Sequence, residues 1–495
     1  MTCPTTRTRR AAAKVNISAW LVLVPFVTAI PCSAAPTVTK VEPPNWWTDH
    51  SLNPVRLLIH GSGLQGATIT ADRELNASRV WVNDAGTYLF VDVNIPRGAA
   101  PGDYPLQVQT ANGVTRAPFR LDAPLPSSGR FQGFSPDDLI YLIMIDRFAD
   151  GDPSNDDPVI SRGLFDRRKD RYYHGGDLQG IIDHLPYLKS LGVTAIWITP
   201  VYDNTNKPNF WQAVNGQPIA DYHGYGATDY YAIEEHFGTL ELLRNLVDDA
   251  HGMGIKVIQD QVANHVGPDH PWVTDPPKPT WFHGTVARHV NETWQLWTLP
   301  DPHASAELKS SVLNGWFVDK LPDLNQEDPD VARYEIQNAL WWVGMVGFDG
   351  IRQDTMPYAP RAFWHDWSAT LKKQYPRLRV VGEVFDPDPA VPSFFQGGIK
   401  RDGIDTGIDS VFDFPTYFSI RHVFANGAAT DTISKTLAKD RLYPDPGALV
   451  TFLGNHDVPR FMHEQHATTD SLKLAFTFLL TLRGTPCIYY GDEIA

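Results

Sequence analysis

From residue 139 onward, short apolar runs of strand length alternate with stretches in which apolar side chains recur at helical spacing, and this alternation restricts the fold more than any other feature of the chain. Strands that alternate with helices form βα units, and βα units build a parallel sheet. The runs fall at 140–145, 193–198, 255–260, 348–352, 380–383, 410–412, 449–453 and 487–490. Eight of them predict an α/β fold of the (β/α)8, or TIM, barrel type, in which the C-terminal ends of all the strands open onto one pocket.

The fourth run shows its chemistry most openly. Gly347-Phe348-Asp349-Gly350-Ile351-Arg352-Gln353-Asp354-Thr355 follows a helical pattern over 331–346 and reads as a buried strand ending in a cation and an acid. Arg352 and Asp354 are two apart, so on a strand they share a side, and the guanidinium can hold the carboxylate ionised. Such a pair alone is more often structural than catalytic. Val380-Val381-Gly382-Glu383 and Phe452-Leu453-Gly454-Asn455-His456-Asp457 are also apolar runs that terminate in carboxylates. A barrel would gather these three strand-end acids around one pocket, whatever their separation in sequence.

At 495 residues the chain has room for two or more domains with a sizeable core. Aromatic residues make up 12%, more than a disordered chain would carry and suited to stacking flat ligands. The formal charge is −15, and residues 1–35 hold Arg7, Arg9, Arg10 and Lys14 without an acid, so loss of that segment would make the chain more negative. Nucleic acid is therefore excluded as a partner. The same segment runs from a basic start through an apolar stretch at 19–30 to Ser33, Ala34 and Ala35, the pattern of a signal peptide. Its apolar stretch is too short to span a bilayer. An exported protein, periplasmic or secreted, without stable membrane insertion after signal removal, is the expectation. Cys3 and Cys32 lie in this leader, which leaves Cys487 alone in the mature chain and no internal disulfide.

Residues 36–126 read as an all-β sandwich domain, with alternating runs at 55–59, 79–82, 88–93, 104–109 and 116–121 between Gly, Asn and Pro turns. Within Val41-Glu42-Pro43-Pro44-Asn45-Trp46-Trp47, the paired tryptophans could stack a sugar or pack against a neighbouring domain, the second being the commoner use. Ala123-Pro124-Leu125-Pro126-Ser127-Ser128-Gly129 supplies a linker into the 127–495 barrel domain. Between the third and fourth runs, residues at about 265–323 are rich in Pro and Trp, lack clear periodicity and are too many for a simple βα loop, so they predict an inserted lobe beside the site. No helical stretch follows the eighth run before Ala495, so the last barrel helix and any C-terminal β domain are expected to be missing from the chain as given.

Four stretches, in order, resemble the four short regions of the alpha-amylase family, glycoside hydrolase family 13: Asp260-Gln261-Val262-Ala263-Asn264-His265, Gly350-Ile351-Arg352-Gln353-Asp354, Gly382-Glu383-Val384 and Asn455-His456-Asp457. The front module, with its Glu-Pro-Pro-x-Trp-Trp segment, resembles the N-terminal domain of cyclomaltodextrinase and neopullulanase-like members. The resemblance implies that Asp354 is the nucleophile of a retaining mechanism, Glu383 the general acid/base, and Asp457 the third acid, which holds sugar hydroxyls. It further implies that Arg352 orients the nucleophile, that His265 and His456 hydrogen-bond the sugar, and that Tyr225, in Tyr222-His223-Gly224-Tyr225-Gly226, is the platform beneath it. The apolar approach Val380-Val381-Gly382 would raise the pKa of Glu383.

Asp150-Gly151-Asp152-Pro153-Ser154-Asn155-Asp156 and His174-Gly175-Gly176-Asp177 place hard oxygens close together on turn-forming backbone, which suits calcium. The resemblance to a calcium loop of the family implies Asp150, Asp152, Asn155, Asp156, Gly175 and Asp177 as its residues. Where many amylases carry Lys-His after the nucleophile, this chain has Asp354-Thr355-Met356-Pro357-Tyr358, which leaves a second calcium, at Asn264, and the subsite beyond the cleaved bond undetermined. The expected function is retaining hydrolysis of α-1,4-glucosidic bonds in maltooligosaccharides, cyclodextrins, pullulan or starch. Glycosyl transfer from the same site and non-catalytic glucan binding are the alternatives. The resemblance also raises a homodimer in which the front module packs on a partner's active site.

Overall fold

The computed structural model describes residues 35–71 and 74–494; the expected signal peptide lies outside them except for its last residue. Each of the eight expected runs holds a strand: β1 (Ile140–Ile143), β2 (Ala195–Ile198), β3 (Lys256–Gln261), β4 (Gly350–Gln353), β5 (Arg379–Gly382), β6 (Ser410–Val411), β7 (Val450–Phe452) and β8 (Thr485–Tyr489). They are parallel and hydrogen-bonded in the order β6-β5-β4-β3-β2-β1-β8-β7. A parallel bridge between Phe412 and Val450 joins the two ends, so the sheet closes into a barrel. β1 and β2 are buried at every position, as strands covered on both faces must be.

The helices begin and end where the sequence punctuates them. Asp177 caps α1 (Leu178–Ser190) by accepting from Gly180 N, and Thr239 caps α2 (Leu240–Gly252) by accepting from Leu242 N. α3 (Pro329–Val346) starts with Asp328 as its cap and proline in its first turn. It stops at Gly347, whose φ of 93° is a left-handed conformation that glycine adopts without strain. That stop delays β4 to Gly350, two residues later than the run at 348–352 suggested. Asp349 is instead consumed as a brace: it is fully buried and accepts from the backbone N–H groups of Gln132 and Val257, with His251 Nε2 at 2.7 Å.

The front module is all-β. Thr37–Glu42, Val55–Ser62, Tyr88–Asn94 and Asn76–Val82 pair in that order as an antiparallel sheet, and Thr68–Ala71, Leu106–Thr110 and Gly113–Ala117 form a second one. Asn45–Trp47 runs parallel to Arg120–Asp122. This arrangement settles the tryptophan pair as packing, since Trp46 is 0% and Trp47 3% exposed. The module sits on α3: Trp341 Nε1 donates to Asn45 Oδ1 at 2.7 Å, and Gln337 exchanges two hydrogen bonds with the backbone of Arg56, at 2.7 and 2.8 Å. Burial on nearly every side of α3 follows, because the barrel covers one face and the module another.

The inserted lobe is pinched at its base by an antiparallel bridge between His265 and Asp323, the limits read from sequence. It is less irregular than composition implied. A helix at Ala306–Leu313 and a two-residue pairing of Val290–Asn291 with Gly315–Trp316 organise it.

Candidate active site

β3, β4 and β5 lie side by side in a register that aligns Asp260, Arg352 and Val381. The Arg352 guanidinium, 1% exposed, therefore stands between the residues that end its neighbours. Nη1 donates to Asp354 Oδ1 at 2.7 Å and to Asp260 Oδ1 at 2.9 Å, and Nη2 lies 2.8 Å from Glu383 Oε2. One buried cation thus serves three carboxylates. Asp260 is held further by Trp197 Nε1 at 2.9 Å and by the Tyr225 hydroxyl at 2.8 Å, both donating to Oδ2.

The two acids past the strand ends are positioned by the backbone that carries them. Asp354 N donates to Gln261 O and Glu383 N to Gln353 O, each at 2.9 Å, so both residues continue the pairing of the barrel. Thr355 links them: its hydroxyl donates to Asp354 Oδ2 at 2.9 Å and its N–H to Glu383 Oε2 at 3.1 Å. Thr355 does so with φ at +46°, a conformation uncommon for a β-branched residue. Burial raises the Glu383 carboxyl to about 8; the Arg352 charge opposes that rise, and the Asp354 and Asp457 charges add to it. Burial also pushes Asp260 up, against the pull of Arg352.

Asp457 completes the group from the loop after β7. Its side chain is 44% exposed and lies 3.2 Å from His456 Nε2. Its N–H donates to Asn455 Oδ1 at 2.9 Å, an Asx turn, and its charge acts on Glu383. The Tyr225 ring lies nearly parallel to His456, at 9° with centroids 5.3 Å apart. His265 Nε2 is 3.2 Å from Tyr225 O, and its ring stacks on Phe317 of the lobe. Burial holds both imidazoles below their usual range. Asp354, Glu383, Asp457, Arg352, Tyr225, His265 and His456, scattered in sequence, thus cluster at the C-terminal end of the barrel.

The acidic loop after β1 folds back on the start of α1. Asp177 is buried and saturated: Oδ1 accepts from Gly151 N at 3.1 Å and Gly180 N at 2.6 Å, and Oδ2 from Asp152 N at 2.8 Å and Asn155 Nδ2 at 3.2 Å. Asp150 is paired with Arg167 at 2.5 Å, and Asp152 is turned outward to cap Ser154. Asn155 Oδ1 and Asp156 Oδ1 are buried without a hydrogen-bond partner. Gly175, at φ +85°, faces Asp156, where an added Cβ would overlap the Oδ1 atom. Two orphaned oxygens beside a glycine that leaves room for them fit a hard cation.

Residues 142–495 match the family model for the alpha amylase catalytic domain, and residues 40–123 match that for the cyclomaltodextrinase N-terminal domain. The chain belongs to the alpha-amylase family. It is 35% identical over 367 residues to a beta/alpha-amylase of Paenibacillus polymyxa, covering 72% of this chain and 27% of that one. Neopullulanase 2 of Thermoactinomyces vulgaris is 32% identical over 363 residues, covering 72% of this chain and 56% of that one. The chain therefore spans about half, or less, of the length of these relatives. Among solved structures, an Anoxybacillus alpha-amylase superposes with a TM-score of 0.62 at 36% identity, over 72% of this chain and 71% of that one.

For this alpha-amylase family chain, sequence reasoning missed three members of the pocket. Asp260 heads one of the four matched stretches, yet nothing local separates a carboxylate that feeds a guanidinium from one at a strand edge. Trp197 had only its place near the end of an apolar run. Thr355 follows Asp354 directly, but its role depends on a left-handed backbone that the sequence does not announce.

Proposed function

We propose that this protein hydrolyses α-1,4-glucosidic bonds of maltooligosaccharides, cyclodextrins, pullulan or starch, with retention of anomeric configuration. The observation that carries the proposal is the single guanidinium of Arg352 shared between Asp354 and Glu383. Sharing keeps the two carboxylates at the close spacing that direct attack by one of them requires. The cyclomaltodextrinase and neopullulanase names of relatives that are 32% identical support the substrate class.

Asp354, charged and held through Oδ1 by Arg352 and through Oδ2 by Thr355, attacks the anomeric carbon. Glu383, protonated because burial favours its neutral form, gives its proton to the departing glycosidic oxygen. The covalent glycosyl-enzyme so formed is opened by water, which Glu383, now a base, deprotonates. Asp457 and the two imidazoles hold sugar hydroxyls, and the Tyr225 ring supports the pyranose face. Proton NMR of the first product formed from maltotetraose tests the proposal: the α-anomer is expected, and the β-anomer would overturn it. Glu383→Gln is expected to abolish most turnover while glucan still binds.

The orphaned oxygens of Asn155 and Asp156 support a calcium ion at the loop after β1, where it would tie that loop to the start of α1. Its contribution would be to stability rather than to bond cleavage. The basic, apolar and then small-residue order of residues 1–35 supports export to the periplasm or beyond.

A further inference from the structure

Outside the pocket around Arg352, the strand Asp229–Ile233 ends in the turn Glu234-Glu235-His236-Phe237, closed by Phe237 N donating to Glu234 O at 2.9 Å. The turn folds three ligand-type side chains toward one point. One oxygen each of Glu234 and Glu235 and one ring nitrogen of His236 all lie within 4.8 Å of one another, the only such group among the described residues. Glu234 and His236 are 2% and 1% exposed. His236 Nδ1 sits 2.6 Å from Glu234 Oε1, and Asn204 N donates to Glu234 Oε2 at 3.1 Å. The Tyr173 ring lies flat on the imidazole, with centroids 3.7 Å apart and planes 4° from parallel, which fixes the orientation of His236.

Independent observations point to a missing ligand. Tyr173 is 1% exposed, and its hydroxyl lies beside Glu234. Glu235 Oε1 is buried and unpartnered, and so is Asp203 Oδ1 on the strand paired with Asp229–Ile233. Buried polar atoms are rarely left so unless something fills their valence. An open pocket of about 510 Å³ borders Glu235, and its lining also includes Glu241, Asp152 and Asn155, a wall that draws cations.

We propose that Glu234, Glu235 and His236 bind a divalent transition-metal ion of the zinc, cobalt and manganese class. Two carboxylate oxygens with an imidazole nitrogen suit these ions, whereas calcium takes oxygens alone. The site is therefore chemically distinct from the loop of Asn155 and Asp156. An ion here would pin the turn that leads into α2.

The test is titration of cobalt(II) into the metal-stripped full chain in excess calcium, which keeps the loop after β1 filled, with visible d–d absorption and the melting temperature as readouts. One equivalent is expected to bind, with d–d bands and a saturable rise in melting temperature, and zinc is expected to displace it. Glu235→Gln, at a half-exposed position where the fold should persist, is expected to weaken binding by at least about tenfold. His236→Gln is expected to abolish the bands, while Asp156→Asn should leave them unchanged. A folded wild-type chain that shows no bands overturns the proposal, as does cobalt affinity unchanged in Glu235→Gln.

Discussion

The backbone N–H of Thr355 donates to Glu383 Oε2 at 3.1 Å while its hydroxyl donates to Asp354 Oδ2 at 2.9 Å, so the residue after one acid fixes the separation of both. The strained φ of +46° is what points the two donors in these directions. Removing the hydroxyl should leave the backbone bond intact and loosen only Asp354. Thr355→Ala is expected to lower kcat by roughly tenfold, the equivalent of one lost hydrogen bond of about 1.4 kcal/mol, with little change in KM. Steady-state kinetics on maltooligosaccharides decide the matter; an unchanged kcat would remove Thr355 from the positioning role.

The raised Glu383 carboxyl makes activity and stability depend on pH in related ways. The acid must carry its proton to act, so kcat/KM is expected to fall as pH rises through about 8. The Asp457 charge helps to hold that value up, so Asp457→Asn is expected to move the alkaline limb to lower pH, in addition to its loss of rate. For stability the sign is the same. The unfolded carboxyl ionises near 4.5 and the folded one near 8, so its contribution is present below the first value and lost as pH rises through the second. Urea unfolding at pH 5 and pH 9 should show a smaller loss in Glu383→Gln than in the wild type, and an equal loss would contradict the assignment.

Much of this architecture was legible because barrel strands buried on both faces leave continuous apolar runs, as at Ile140–Ile143 and Ala195–Ile198. The pairing of Arg352 with Asp354 was legible for a local reason, namely that residues two apart on a strand share a side. What could not be read is the register between strands: nothing near Arg352 in sequence states that Asp260 and Glu383 flank it. The tryptophan pair was ambiguous for the same reason, since its environment is made by α3, far along the chain. The limits of the lobe were visible because the barrel pattern stops and restarts there. Its internal helix was not, because an eight-residue element sets up little periodicity.

The calcium proposed for the loop after β1 predicts a melting temperature that depends on the ion. Chelation with EGTA is expected to lower it in the wild type, by an amount equivalent to about 2.7 kcal/mol if calcium was first present at a hundred times its dissociation constant. In Asp156→Asn the chelator should have little further effect. Gly175→Ala should behave likewise and also be less stable throughout, since the added Cβ meets Asp156 Oδ1 and the φ of +85° disfavours alanine. Differential scanning calorimetry with and without calcium provides the comparison, and identical wild-type curves would exclude the ion.

Trp47 separates a packing role from a sugar-binding one. It is 3% exposed and stacks on His50 with centroids 5.6 Å apart. Its ring also presses on α3 at Gly344, where an added Cβ would come within 2.9 Å of it. A close-packed indole at this contact holds the front module to the barrel by apolar burial, so Trp47→Ala is expected to cost about 3–5 kcal/mol. Gly344→Ala should cost about 1–3 kcal/mol by forcing the same two surfaces apart. Both variants should release the front module to limited proteolysis near residues 123–129 sooner than the wild type does. Neither should alter KM for a short maltooligosaccharide at a temperature where the variant remains folded, because the ring is covered by α3 and has no free face to offer a sugar. A raised KM without loss of stability would instead mean that Trp47 meets substrate, and the tryptophan pair would then belong to binding rather than to the joint between the domains.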